Sequence, residues 1–286
     1  MLRGSWLKAL VLAAAAVVAI GCGAQQEGNA PSTKPQGRTV EHLSLPSNPP
    51  ATSVQVPILT YHRVHAYQSE YKKSVPDETV EPSAFAKQMD ALTQNGYQTV
   101  TQTQLYHAMF DGKPLPPKPV LITVDDGYKD DVTDILPVLK SHHMVATFYI
   151  ITDRLHEQGF VDPGDVRMLD QAGMDIGAHT RTHADLARLG PQQLRDQVEG
   201  SRDALVSILG HPVYYFAYPF GTFSPSAVTE LRNAGFVQAV TTHSGTQEFA
   251  RDSLTMPRIH VGRSSTDQTV LTCTNPQKAT ACGGKE

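Results

Sequence analysis

From Val120 the chain reads Val-Leu-Ile-Thr-Val-Asp-Asp-Gly-Tyr, and no other stretch narrows the fold so far. A continuous apolar run that ends at a turn signal describes a buried, parallel-type strand. Such strands deliver functional groups at their carboxyl ends, where α/β sheets and barrels bind ligands. Asp125 and Asp126 stand at that end. Two charges beside a buried strand are costly unless a cation or hydrogen bonds compensate them. Read alone, Asp-Asp-Gly is equally good turn chemistry.

The rest of the chain repeats the unit. Strand patterns at 54–61, 97–100, 120–124, 144–151, 174–178, 214–218, 236–241 and 257–261 alternate with helical patterns. The helices are expected from Pro82 to a stop at Asn95-Gly96, then at 102–110, 131–141, 163–172, 191–209 and 225–233. Proline opens several of them, and Leu194, Val198, Leu205 and Leu209 fall on one face. Such alternation argues a parallel α/β domain. A barrel fits the strand count better than an open sheet, although periodicity leaves both open. No glycine-rich phosphate loop follows any strand, so no nucleotide cofactor is expected. Formal charge is −4 with no basic stripe, which argues against nucleic acid as a partner.

The ends are a different material. Residues 1–21 combine a basic start (Arg3, Lys8) with a short apolar core, the architecture of a secretory signal rather than a membrane span. Ala19-Ile20-Gly21-Cys22 resembles a bacterial lipobox, although Ala19 stands where leucine is commonest. The resemblance implies a membrane-anchored lipoprotein of the bacterial cell envelope, lipidated on Cys22 and facing the periplasm or the exterior. An ordinary signal peptide is the alternative. Residues 22–53 are rich in Pro, Gln, Ser, Asn and Gly and read as a flexible tether. The folded domain is expected at 54–266, with 267–286 as a C-terminal tail. Cys273 and Cys282 could bridge in an oxidising compartment.

Gly177-Ala-His-Thr-Arg-Thr-His183 supplies the missing half of the site. Two histidines four apart, leaving a strand end, can share a metal ion. With one carboxylate they make a set suited to Zn²⁺ or a similar divalent ion. A lone His-x-x-x-His pair is weak, and unrelated surface histidines are its bland reading.

Three motifs now stand in order. Thr123-Val-Asp-Asp-Gly127 resembles the first motif of the polysaccharide deacetylases (NodB-homology domain, carbohydrate esterase family 4), His179-Thr-Arg-Thr-His183 resembles the second, and Tyr218-Pro-Phe-Gly221 the third. Pro57-Ile-Leu-Thr-Tyr-His62 looks most like the branch that deacetylates poly-N-acetylglucosamine. The resemblance covers about 54–261 and implies a distorted, incomplete (β/α) barrel of parallel strands. It also implies a metal-dependent hydrolase that removes N-acetyl groups from an acetylated glycan polymer and releases acetate. Asp126, His179 and His183 would bind one divalent ion, Zn²⁺ before Co²⁺, Ni²⁺, Fe²⁺ or Mn²⁺. Asp125 would be the general base, the Phe220 backbone N–H would meet the oxyanion, and Pro219 would fix that loop.

The chain departs from the pattern twice. Where the third motif usually carries an arginine that orients the base, this chain has Ala217; Arg258 is a candidate substitute. The fourth motif is not evident around 241–245. His260 resembles the fifth-motif histidine that acts as general acid. His62 and Tyr218 are read as substrate-facing, with a strand-end hydrogen bond and core packing as their alternatives. A peptidoglycan or chitin-oligomer deacetylase, an O-acetyl esterase, and a weakly active glycan-binding module are the rival functions.

Overall fold

The computed structural model describes residues 41–67 and 77–278; residues 1–21 and Cys22 therefore lie outside the described residues. Seven strands form a ring: β1 (Ile58–Tyr61), β2 (Pro119–Val124), β3 (Thr147–Ile150), β4 (Asp175–Ala178), β5 (Tyr215–Ala217), β6 (Gln238–Ser244) and β7 (Met256–His260). Each pairs in parallel with the next in sequence, and β7 returns to β1, so the barrel is closed. The expected incomplete α/β barrel is what the chain builds. The Gln98–Thr99 strand pairs only with the start of β2 and stays outside the ring.

The helices are α1 (Pro82–Gln94), α2 (Gln102–Phe110), α3 (Leu136–Ser141), α4 (Pro163–Gln171), α5 (Pro191–Leu209), α6 (Pro225–Asn233) and α7 (Asp267–Thr274). Proline occupies the first turn of α1, α4, α5 and α6, where its missing N–H costs nothing. Thr101 and Gln104 form a reciprocal cap on α2. The residues before α3 make a π turn, Asp131–Ile135, where a continuous α-helix was expected.

Strand alternation divides the apolar residues into two cores. Leu59, Ile122, Val124, Phe148, Ile150, Ile176, Phe216 and Ile259 face outward and pack against the helices. Ile58, Leu121, Tyr149, Tyr215, Val240 and Met256 face inward with Leu105, Tyr106 and Met109 of α2. The α2 N-terminus is tied to that interior core. The Asp175 carboxylate accepts the Gln102 N–H at 2.7 Å, and the Tyr149 hydroxyl donates to Gln102 Oε1 at 2.7 Å. At Gly177 an added Cβ would collide with the Tyr149 ring, so the bulk that fills the barrel on β3 requires glycine on β4.

Both expected domain boundaries move outward. Part of the expected tether belongs to the fold. Leu43 is buried, the Tyr106 hydroxyl donates to the Ser44 carbonyl at 2.6 Å, and Ser53–Gln55 pairs antiparallel with Gln247–Phe249. At the other end α7 places Val270 and Cys273 in the outer core and packs on α1. Thr and Ser abundance hid these few apolar anchors. Cys273 takes part in a disulfide, and Cys282 lies outside the described residues.

The buried Asp131 works against the fold. Both carboxylate oxygens of Asp131 are buried without a hydrogen-bond partner. Burial, then the neighbouring Asp130 charge, raise its pKa well above the usual carboxylate range. The folded state thus keeps a proton that the unfolded chain releases above about pH 4, and stability falls as pH rises between the two values. Asp131→Asn should therefore raise the unfolding free energy by on the order of 1–2 kcal/mol at pH 7. The gain should shrink towards pH 4 in urea titrations; a gain that does not depend on pH would contradict this account.

Candidate active site

The carboxyl ends of the strands border one cleft of about 540 Å³, lined by His62, Arg63, Glu78, Asp125, Asp126, Tyr128, His179, His183, Phe220, Arg258 and His260 among others. Each strand end delivers its group by alternation. Thr123 lies on the inward side of β2 and Asp125 continues that side just past its end, and Arg258 lies inward on β7. Asp126, one residue on, has left the strand with φ 80° and points elsewhere.

Arg258 is buried and holds Asp125 with two hydrogen bonds, Nη1 to Oδ1 at 2.8 Å and Nη2 to Oδ2 at 2.7 Å. Its Nε donates to the Thr241 carbonyl at 2.8 Å, and Nη1 also reaches Thr123 Oγ1 at 3.1 Å. Thr241 lies where the β6–β7 register shifts between Val240 and Ser244. Such an irregularity leaves a carbonyl out of the regular ladder, and here Arg258 takes it. Burial alone would raise the Asp125 pKa, but the Arg258 charge and its bonds reverse this and hold the carboxyl well below the usual range. The place of the expected arginine is thus filled from β7. Ala217 contributes its carbonyl, which accepts from His179 Nδ1 at 2.7 Å.

That bond turns His179 Nε2 towards Asp126. Asp126 Oδ1 lies 3.5 Å from His179 Nε2 and 3.6 Å from His183 Nε2. These gaps are too long for good hydrogen bonds, and Oδ1 is buried with no partner. Burial and then the His179 charge push the His183 imidazole down to about 4, so its ring is neutral at physiological pH and keeps a free lone pair. The three donor atoms lie within 4.8 Å of one another. Donors on a tetrahedral Zn²⁺ with bonds of about 2.1 Å sit roughly 3.4 Å apart. An orphaned carboxylate oxygen facing two imidazole nitrogens at that spacing fits a divalent cation.

Backbone strain gathers at the same place. Five non-glycine residues among those described have positive φ, and four are Asp126, Thr180, His183 and Phe220. Such residues cluster where geometry is held against local preference. Phe220 is 61 % exposed and its ring meets His183 edge-on at 4.6 Å. Pro219 beside it is buried. Gly221 lies so close to Thr242 that a Cβ would not fit.

The other expected residues divide. His62 does face the cleft, with Nε2 4.0 Å from Asp125 Oδ2. His260 sits at the rim, its ring 6.1 Å from His62 and its Nε2 3.6 Å from Asp77 Oδ2. Tyr218 also borders the cleft, but its side chain turns into the core. Its ring faces the outer core, 1 % exposed, and its hydroxyl donates to the Leu254 carbonyl at 3.0 Å. Alternation along β5 sends Tyr218 outward because Ala217 points in. Arg63, Glu78, Tyr128 and Thr242 also line the cleft. Arg63 follows His62 directly, and that adjacency was the available signal.

Residues 112–239 match the polysaccharide deacetylase family. YxkH of Bacillus subtilis, which carries the family's name, is 28 % identical over 207 residues, 72 % of this chain and 71 % of that one. The poly-β-1,6-N-acetyl-D-glucosamine N-deacetylase of Escherichia coli K12 is 40 % identical over 70 residues, 24 % of this chain but 10 % of that protein. The chain thus spans about a tenth of that relative's length. Among solved structures, the Streptococcus pyogenes deacetylase PplD in complex with acetate superposes with a TM-score of 0.74 at 25 % identity, covering 79 % of this chain and 100 % of that chain.

The buried ion pair makes a stability test. Arg258→Met should leave Asp125 without its counter-charge and cost about 3–5 kcal/mol at pH 7. Adding Asp125→Asn should recover most of that loss, because the stranded charge is gone. The pair's contribution should hold above about pH 4 and fade as pH falls through the lower folded-state value of Asp125. Urea unfolding of the two variants decides; a single variant as stable as the parent would refute the role.

Proposed function

Because this chain belongs to the polysaccharide deacetylase family, we propose that its cleft removes N-acetyl groups from an acetylated amino-sugar polysaccharide, with a poly-N-acetylglucosamine-like exopolysaccharide favoured. The observation that carries this reading is the paired arrangement of Asp125 and Asp126. One is locked by Arg258, and the other faces two imidazoles with an unsatisfied oxygen. The segment identical at 40 % to the E. coli poly-N-acetylglucosamine enzyme and the Pro57–His62 sequence favour that glycan.

In this reading Asp126, His179 and His183 hold one divalent ion, Zn²⁺ by preference. When bound, the ion supplies Lewis acidity at the reacting acetamide. Asp125 takes a proton from the attacking water, and Arg258 keeps that carboxylate ionised and aimed. The Phe220 backbone N–H donates to the developing oxyanion, on a loop fixed by Pro219 and Gly221. His260 returns a proton to the leaving nitrogen as the amide C–N bond breaks. Water's hydroxyl ends on acetate and its proton on the sugar amine. His62, beside Asp125, faces the sugar. Cys22, lipidated, would hold the domain at the envelope, on the periplasmic or outer side.

The test is acetate release from β-1,6-linked poly-N-acetylglucosamine, peptidoglycan, chitin oligomers and acetylxylan, with chelator and with added metal. The exopolysaccharide should be turned over fastest, and chelation should abolish release. Preference for another substrate would move the assignment to that substrate. Metal binding without turnover of any would leave only a glycan-binding module. Asp125→Asn should keep metal and lose turnover by at least about a hundred-fold, whereas Asp126→Asn, His179→Ala or His183→Ala should lose the metal itself. Arg258→Ala should lower kcat with metal content unchanged, and near-parental turnover would exclude its positioning role.

A further inference from the structure

We propose that Asp130 sets the charge of the glycan this cleft accepts, by neutralising Arg63 so that uncharged amino-sugar chains bind and chains with a carboxylate beside the reacting sugar are disfavoured. The inference rests on the deacetylase reading above and adds to it the substrate's charge class.

Among the described residues that line the cleft, the permanent cations are Arg63 and Arg258. Each is bound by a carboxylate through two hydrogen bonds. Arg258 is consumed by Asp125. Arg63 Nε donates to Asp130 Oδ2 at 3.0 Å and Nη2 to Oδ1 at 3.1 Å. Asp130 is 4 % exposed, and His65 Nδ1 lies 3.7 Å from its Oδ1. A two-pronged arginine of this kind, left open in a cleft, is the standard receptor for a carboxylate. Here the prongs are already filled from inside the protein.

The position of Arg63 does not depend on that pairing alone. Its guanidinium lies 4.5 Å over the Tyr128 ring, which stacks on Phe160 at 4.8 Å and 27°, and Arg154 covers the far face of Phe160 at 4.6 Å. Backbone bonds from Lys129 N–H to the Gly159 carbonyl and from Val161 N–H to the Gly127 carbonyl, both 2.9 Å, clamp the two loops that carry the stack. Stacking therefore places the guanidinium, and Asp130 cancels its charge. Among the described residues no acceptor takes Arg63 Nη1, which leaves it for an uncharged sugar oxygen. Glu78 also lines the cleft and pairs with no cation among the described residues. A sugar carboxylate beside Arg63 would shed water, meet Glu78, and find no open side-chain cation among the described lining residues.

The experiment compares three glycans of one length and linkage, using the full metal-loaded protein. The first is an N-acetylglucosamine oligomer, the second carries a 3-O-lactyl carboxylate on alternate sugars, and the third is the methyl ester of the second. The parent protein should process the acid about ten-fold less efficiently in kcat/KM than the ester. Asp130→Asn should raise the acid towards the ester and leave the ester-to-neutral ratio in place. Equal handling of acid and ester by the parent, or an acid-to-ester ratio untouched by Asp130→Asn, overturns the proposal. If that variant does not fold, the parent decides alone: the acid's deficit must shrink as salt screens the cleft, and a salt-independent ratio overturns the inference. Absence of acetate release from all three glycans would instead remove the deacetylase reading on which it stands.

Discussion

The interaction on which the rest of this structure depends is the ion pair between Arg258 and Asp125 inside the barrel. Both side chains are removed from water, a loss that Coulomb attraction repays only when geometry is good and other bonds are satisfied. The barrel supplies those conditions. Two parallel N–H···O bonds join the pair, the Thr241 carbonyl takes Nε, and Thr123 Oγ1 takes a further contact. The irregular β6–β7 register and the inward Thr on β2 both serve one guanidinium. Closure of the ring is what makes this arrangement available, since β2 and β7 are separated by β1 and by more than a hundred residues of chain.

Around this rigid centre the strand-to-loop junctions carry the strain. Asp126, His183 and Phe220 all adopt left-handed backbone, a conformation that costs each of order 1–3 kcal/mol outside glycine. Packing below and hydrogen bonding behind hold them there. His179 is fixed through Ala217, and the Phe220 turn is fixed because Gly221 sits directly against Thr242. Groups placed this way need little rearrangement when a substrate arrives, which suits chemistry that depends on donors aimed in advance. The Arg63–Tyr128–Phe160–Arg154 stack extends the same rigidity to one wall of the cleft.

Local order was legible in the residues. The helices expected at 102–110, 191–209 and 225–233 occur as Gln102–Phe110, Pro191–Leu209 and Pro225–Asn233, because capping and proline chemistry acts within a turn or two. The Asp-Asp-Gly and His-x-x-x-His segments announced the donors, and strand polarity placed both at one face. Less visible were features with no short-range cause. The Tyr218 side chain packs into the outer core by the parity of β5, the 41–55 segment is fastened by a few residues in polar sequence, and α7 finds its partner in α1 across nearly the whole domain.

By itself, then, the sequence determined the α/β architecture, the barrel-like count of strands, and the identity of the residues that meet at the strand ends. Those follow from periodicity and from which side chains can bind a metal or a proton. Only the tertiary structure decided that Arg258 and not residue 217 holds Asp125, and that Asp130 pairs with Arg63. Each of those pairings joins elements brought together only by closure of the ring and packing of the loops above it. A charge's effect depends on what lies within a few ångströms of it, and distance along the chain carries no record of that.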